Sequence, residues 1–154
     1  MRLRRWLRAA VCAAVLCAAF VVPAIGSEAA DFTLESATGE RVSLGRFAGE
    51  KAVLLVFWAT WCPHCNAAVP AINEIQSRMR DRLEVLAIDF LESRQKVQSF
   101  MKAKNVAYTV LLDRDGAVAR KYRVVGIPTY VVVDRNGKIV YSDNDLPGSI
   151  EKYL

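Results

Sequence analysis

The chain is poor in the residues from which metal centres and disulfide scaffolds are built. It has one histidine, His64, and four cysteines in 154 residues. Cys12 and Cys17 lie in an apolar N-terminal stretch and read as small apolar residues, which leaves one pair, Cys62 and Cys65. One pair separated by two residues is not a disulfide framework. So short a loop also adds little stability by constraining the unfolded chain, which makes a purely structural bridge the weaker reading. Zinc takes four ligands as a rule. Two thiolates with His64 between them offer three at most, and there is no second Cys-x-x-Cys or histidine pair, so no metal is expected. Internal repeats and low-complexity tracts are missing too, which excludes solenoids and disordered tails. No acidic residue precedes Glu28. Four of the 21 basic residues, Arg2, Arg4, Arg5 and Arg8, lie before it, and without them 17 basic residues face 16 acidic ones. The formal charge of +5 is thus an N-terminal property, and nucleic-acid binding is not expected of the nearly neutral remainder.

What is present begins with those arginines. An apolar stretch from Ala9 to Ile25 follows them, with small residues at Ala24-Ile25-Gly26 and Ser27-Glu28-Ala29. This is the pattern of an export signal, and it assigns residues 1–29 to a signal peptide or an uncleaved membrane anchor. The run falls somewhat short of the ~20 apolar residues of a spanning helix, which favours cleavage. Residues 30–154 then form one domain in a periplasmic or other extracytoplasmic compartment. With 53% apolar residues, that domain has the means to fold around a core.

Within it, Phe32–Glu35 and Arg41–Leu44 flank Thr38-Gly39-Glu40 and suggest a hairpin. Val53–Phe57 and Leu83–Ile88 are short continuous apolar runs, the mark of strands buried on both faces. A helix starts near Pro63, with Ile72, Ile75 and Met79 at helical spacing, and Pro70 should kink it. Ser93–Lys104 reads as a helix capped by Ser93 with Val97 and Phe100 inward, and Ala117–Tyr122 as a shorter one. Val110–Leu112 is a short strand. Thr129–Val133 and Lys138–Tyr141 flank Asp134-Arg135-Asn136-Gly137, a second hairpin signal, and Pro147–Leu154 reads as a closing helix. The order predicts a mixed α/β sandwich.

Proline at the first helical turn makes Cys62 the cap of its helix. Its sulfur then lies over free backbone N–H groups at the positive end of the helix dipole. A thiolate is favoured there over the thiol, compared with a free cysteine of pKa about 8.5. Cys65 follows three residues on, on the same helix face and one turn deeper. An exposed Cys62 can attack a partner disulfide while a guarded Cys65 resolves the mixed disulfide. A cationic His64 beside the helix start would stabilise the thiolate further and so make the disulfide a stronger oxidant. The plainer reading of His64 is a solvated surface side chain of modest influence.

Phe57-Trp58-Ala59-Thr60-Trp61-Cys62-Pro63-His64-Cys65 resembles the active site of the thioredoxin superfamily, above all its TlpA/ResA-like branch. The likeness runs from about Phe32 to the C-terminus and includes Gly49-Glu50-Lys51, Val69-Pro70, Gly126-Ile127-Pro128-Thr129 and the 134–138 turn. The Pro63-His64 pair between the cysteines looks like DsbA. The resemblance implies a thioredoxin-like fold, a central mixed sheet flanked by helices with an N-terminal hairpin. It implies a redox-active Cys62–Cys65 disulfide supported by Trp61, Pro63, His64 and Pro128, with no cofactor. It also implies a cis Ile127–Pro128 bond whose loop offers backbone groups to a substrate peptide. The partners implied are protein thiols and disulfides, apocytochromes awaiting haem among them, and a membrane redox partner. One departure stands out. Relatives carry a buried acid at the position of Val56 or of Ala68, and both are apolar here. That weakens a reductase reading and suits an oxidant. Asp89 is a candidate substitute, although a turn or surface role is the first expectation for it. Two other activities remain open on the same fold, a Cu(I) carrier, since soft thiolates suit that ion, and a thiol peroxidase, against which Thr60 stands two residues before Cys62 and the partner Cys65 follows at once.

Overall fold

The computed structural model describes residues 24–154. Of the expected signal or anchor, residues 1–29, residues 1–23 therefore lie outside the described residues. Among them, no helix is long and apolar enough to cross a membrane. Gly26, Ala29 and Ile139 join the start of the described chain to the 137–139 segment through backbone hydrogen bonds of 2.7–2.9 Å.

Seven strands form one mixed sheet: β1 (Thr33–Ser36), β2 (Arg41–Ser43), β3 (Ala52–Trp58), β4 (Leu83–Phe90), β5 (Thr109–Asp113), β6 (Thr129–Val133) and β7 (Ile139–Asp143), in the order β2-β1-β5-β4-β3-β6-β7. β3, β4 and β5 run parallel. Parallel neighbours need long crossovers, and these are α1 (Pro63–Met79) and α2 (Arg94–Lys104). α3 (Ala117–Lys121) leads into the 124–128 loop ahead of β6, which pairs antiparallel with β3.

The apolar runs of β3 and β4 are buried because the sheet is covered on both sides. Side chains alternate along a strand. Leu54, Val56 and Trp58 accordingly join Ile72 of α1 and Val97 of α2 on one face. Val53, Leu55 and Phe57 meet Val118, Ala119 and Tyr122 on the other. The hairpins fall where they were expected. α1 runs from Pro63 to Met79 with Pro70 inside it. One feature differs. The closing segment is only a 3-10 turn, Glu151–Tyr153, with Ile150 buried and the Tyr153 ring tilted against that of Tyr141 at 5.3 Å between ring centres. Eight residues including Gly148 are too few to sustain a helix without an extended packing face.

Candidate active site

Three chain segments meet at the carboxyl end of β3. The first is the turn Ala59–Trp61 and the start of α1. The second is the loop before β6, brought there by the pairing of Phe57 with Thr129. The third is the turn from β4 to α2, brought there by the pairing of Trp58 with Asp89. Open α/β sheets place their ligands at such strand ends.

Cys62 is the N-cap of α1 in extended backbone geometry, with Pro63 in the first turn. Its sulfur accepts a hydrogen bond from the Cys65 backbone N–H at 3.2 Å. This is where the helix leaves N–H groups without backbone partners and where its dipole is positive. A disulfide joins Cys62 to Cys65, with their Cα atoms 5.3 Å apart. The Ile127–Pro128 peptide is cis. The Cys62 sulfur lies 3.7 Å from the Ile127 carbonyl oxygen, so this loop stands directly against the disulfide. His64 is exposed on the first turn of α1, and Trp61 is 61% exposed beside it.

One expectation needs correcting. Cys62 is no more exposed than Cys65, at 3% against 4%. The two sulfurs differ in position, not in burial. Cys62 sits at the helix cap facing Ile127, and Cys65 lies within the helix among core side chains. Trp61, Val124, Val125, Gly126 and Ile127 line an apolar recess next to this edge, with Phe57 and Phe90 deeper in it. Val125 stands 98% exposed at its rim.

Val56 and Ala68 are apolar neighbours of the cysteines, as the sequence indicated. Asp89 departs from its expected surface role, since it is completely buried. The turn role holds, because its Oδ1 accepts the Glu92 N–H at 3.2 Å. Burial, and next the hydrogen-bonded and like-charged Glu92 carboxyl, push the Asp89 pKa up from 3.8 to about 8. Burial also raises Glu92. Lys96, the Thr60 N–H and hydroxyl, and Asp89 together outweigh it and leave Glu92 below the ordinary value.

Between about 4 and about 8 the folded protein holds a proton on Asp89 that the unfolded chain has lost. This group's contribution is full below about pH 4 and is lost as pH rises through about 8. Denaturant titrations of wild type and Asp89→Asn across pH 4–9 are expected to diverge in that window, with wild type losing stability relative to the variant.

No local pattern in the sequence marks Glu92 or Asn66. Glu92 accepts the Thr60 N–H at 2.6 Å and the Thr60 hydroxyl at 2.7 Å. Asn66 donates to the Thr60 carbonyl at 3.1 Å. Glu92 sits one residue before a helix cap, where an acid is usually solvated, and only the return of the 59–61 turn buries it. Thr60 thus directs its hydroxyl to Glu92.

Residues 25–142 match the AhpC/TSA family. Over 133 residues the chain is 32% identical to the thiol-disulfide oxidoreductase ResA of Bacillus thuringiensis subsp. konkukian, covering 84% of this chain and 76% of that protein. It is 37% identical over 117 residues to the thioredoxin-like protein YneN of Bacillus subtilis, covering 74% and 68%. Among solved structures, the thioredoxin domain of a thiol-disulfide oxidoreductase from Bacteroides vulgatus superposes with a TM-score of 0.72 at 27% identity, over 78% of this chain and 88% of that one. A secreted Mycobacterium tuberculosis disulfide oxidoreductase homologous to E. coli DsbE gives 0.67 at 26%, over 77% and 85%. With the Cys62–Cys65 disulfide at the start of α1, the chain belongs to the AhpC/TSA family as a ResA-like thiol–disulfide oxidoreductase of thioredoxin-like fold.

Proposed function

We propose that the protein is an extracytoplasmic oxidant that passes the Cys62–Cys65 disulfide to protein thiols. The observation that carries this reading is the Cys62 sulfur at the start of α1, accepting the Cys65 N–H at 3.2 Å. A client thiolate attacks the Cys62 sulfur, the Cys62–Cys65 bond breaks, and Cys65 leaves as a thiolate. A second client thiolate then attacks the client sulfur of this mixed disulfide and releases the Cys62 thiolate. The client has lost two electrons and the protein has gained them. Because the helix start stabilises the departing Cys62 anion, release is favoured in this direction. The apolar surroundings of Val56 and Ala68 support the same direction, since neither offers a base to draw a proton from Cys65 for reduction.

Export rests on the arginines at 2–8 followed by the apolar stretch to Ile25. A membrane redox partner would return the disulfide after each turnover. The recess beside Trp61 and Val125 suits an apolar client side chain next to the scissile sulfur, with the Ile127–Pro128 loop supplying backbone groups. Val125→Glu is expected to raise KM for an unfolded protein client several-fold while leaving the rate with glutathione unchanged. Steady-state kinetics with both substrates separates the two effects.

The direction is tested by equilibrating the protein in glutathione buffers. A potential well above that of thioredoxin, about −270 mV, is expected, and one close to it would overturn the oxidant reading. In the same buffers, His64→Ala is expected to make the disulfide a weaker oxidant by on the order of 30 mV, a tenfold change in the equilibrium. An unchanged potential would return His64 to the role of a solvated side chain. A tight Cu(I) complex of the reduced protein without exchange activity would favour the carrier reading instead.

A further inference from the structure

Behind the active-site turn lies a second cluster that the exchange chemistry above does not use. Asp89 alternates with Val85 and Ala87 along β4, and so points to the sheet face that carries Trp58, Cys62 and Cys65. Its Oδ1 is occupied by the Glu92 N–H. Its Oδ2 is buried and has no hydrogen-bond partner. The polar group beside it is the Glu92 carboxyl, another acceptor, whose side chain is 6% exposed. Two buried carboxylates cannot satisfy one another, whereas a carboxylic acid and a carboxylate can. One proton between them leaves a single negative charge, and Lys96 of α2 meets it at 2.5 Å from Glu92. From β3 the pairing neighbour of Asp89 is Trp58, and from β5 it is Leu112, neither of them titratable. Arg94, next along α2, is held by Glu35.

The backbone between the two acids is strained. Leu91 has φ 64°, a left-handed conformation that a leucine adopts only when its surroundings impose it. This turn brings the Glu92 N–H onto Asp89, and Glu92 grips Thr60 by its N–H and its hydroxyl. Thr60 is two residues from Cys62, and its carbonyl is tied to Asn66 of α1.

We propose that Asp89 and Glu92 share one proton, and that this shared proton positions the active-site turn by keeping Glu92 fixed on Thr60. When the proton leaves, two buried negative charges face each other, Glu92 is pushed from its place, and the hold on Thr60 is lost. Asp89 and Glu92 are positioning residues, acting through Thr60 on the setting of Cys62, so the effect on catalysis rests on the exchange reading above. Burial and the facing carboxyl, which push Asp89 up to about 8, put the loss of the proton in the alkaline range.

The test is a pH titration of the oxidised protein by NMR, following the Asp89 side-chain carboxyl carbon and the Thr60 amide together. It needs no substrate, so its outcome does not depend on the exchange reading. The expected result is an Asp89 carboxyl that titrates several pH units above an ordinary aspartate, with a step in the Thr60 amide at the same pH. In Asp89→Asn, whose amide donates to Glu92 at every pH, that step disappears. The ratio of wild-type to Asp89→Asn rate constants for reduction by glutathione, in which the ionisation of glutathione cancels, is then expected to change several-fold between pH 6 and 9. Glu92→Gln moves the Thr60 amide at all pH values. An Asp89 carboxyl that titrates below pH 5 overturns the proposal, as does a Thr60 step that survives in Asp89→Asn. A constant rate ratio overturns the link to Cys62.

Discussion

Cys62→Ser is expected to reduce disulfide exchange by roughly a thousandfold or more, to the level of the uncatalysed reaction, while Cys65→Ser is expected to arrest it halfway. The two outcomes differ because the two sulfurs have different places in one helix. Cys62 caps α1 and faces the Ile127 carbonyl, where a partner sulfur can be received. Without its sulfur there is no mixed disulfide to form. Cys65 lies one turn in, among core side chains, and reaches only Cys62. Without Cys65, the mixed disulfide on Cys62 has no internal thiol to release it, so the covalent complex accumulates. Non-reducing gels of each variant mixed with a thiol client, followed by mass spectrometry of any adduct, distinguish the outcomes. An equal accumulation of adduct on both variants would mean that the sulfurs are interchangeable.

Asp113→Ala is expected to be the most destabilising change near the site, by about 3 kcal/mol. α3 begins at Gly116, which has no side chain with which to cap it. Asp113, fully buried at the end of β5, reaches over instead and accepts the Val118 N–H at 3.2 Å and the Ala119 N–H at 2.8 Å. Hydrogen bonds to a charged group contribute roughly 1.5–3 kcal/mol each, and alanine leaves both donors buried and unpaired. For a domain of this size that corresponds to a fall in Tm of about 10 °C. Asp113→Asn keeps one acceptor and should lose about half as much. Because Ala119 lies against the apolar recess and α3 feeds the Val124–Pro128 loop, the alanine variant should also bind protein clients less well. Thermal melts of the three proteins, monitored by circular dichroism, check the ranking, and equal melting temperatures would mean that Asp113 does not cap α3.

The features that were readable in the sequence are those set by local chemistry or by a strong pattern. Val53–Phe57 and Leu83–Ile88 are apolar without alternation, so they belong in the middle of a doubly covered sheet, and they form β3 and β4 there. Proline after Cys62 marks a helix start, and the cap geometry follows from it. Asp134-Arg135-Asn136-Gly137 marks a hairpin turn. What escaped depends on segments far apart in the chain. Asp89 has the composition of a surface turn, and it is the packing of β3, α2 and the 59–61 turn around it that buries it. Glu92 lies 32 residues from Thr60, so nothing local links them. The cap of α3 by Asp113 bypasses the three intervening residues and looks like any acidic turn. The equal burial of Cys62 and Cys65 was hidden for the same reason, because the Ile127–Pro128 loop that stands against Cys62 arrives from 65 residues away.

Disulfide exchange by this protein requires a sulfur at the start of α1 that is anionic near neutral pH. Reaction of the fully reduced protein with iodoacetamide, with the modified cysteine located by mass spectrometry at each pH from 5 to 9, measures this directly. Rapid modification of Cys62 alone, nearly independent of pH down to about 6, is the expected result. Two thiols that react slowly at pH 6 and accelerate together only as pH approaches about 8.5, as free cysteines do, would contradict it.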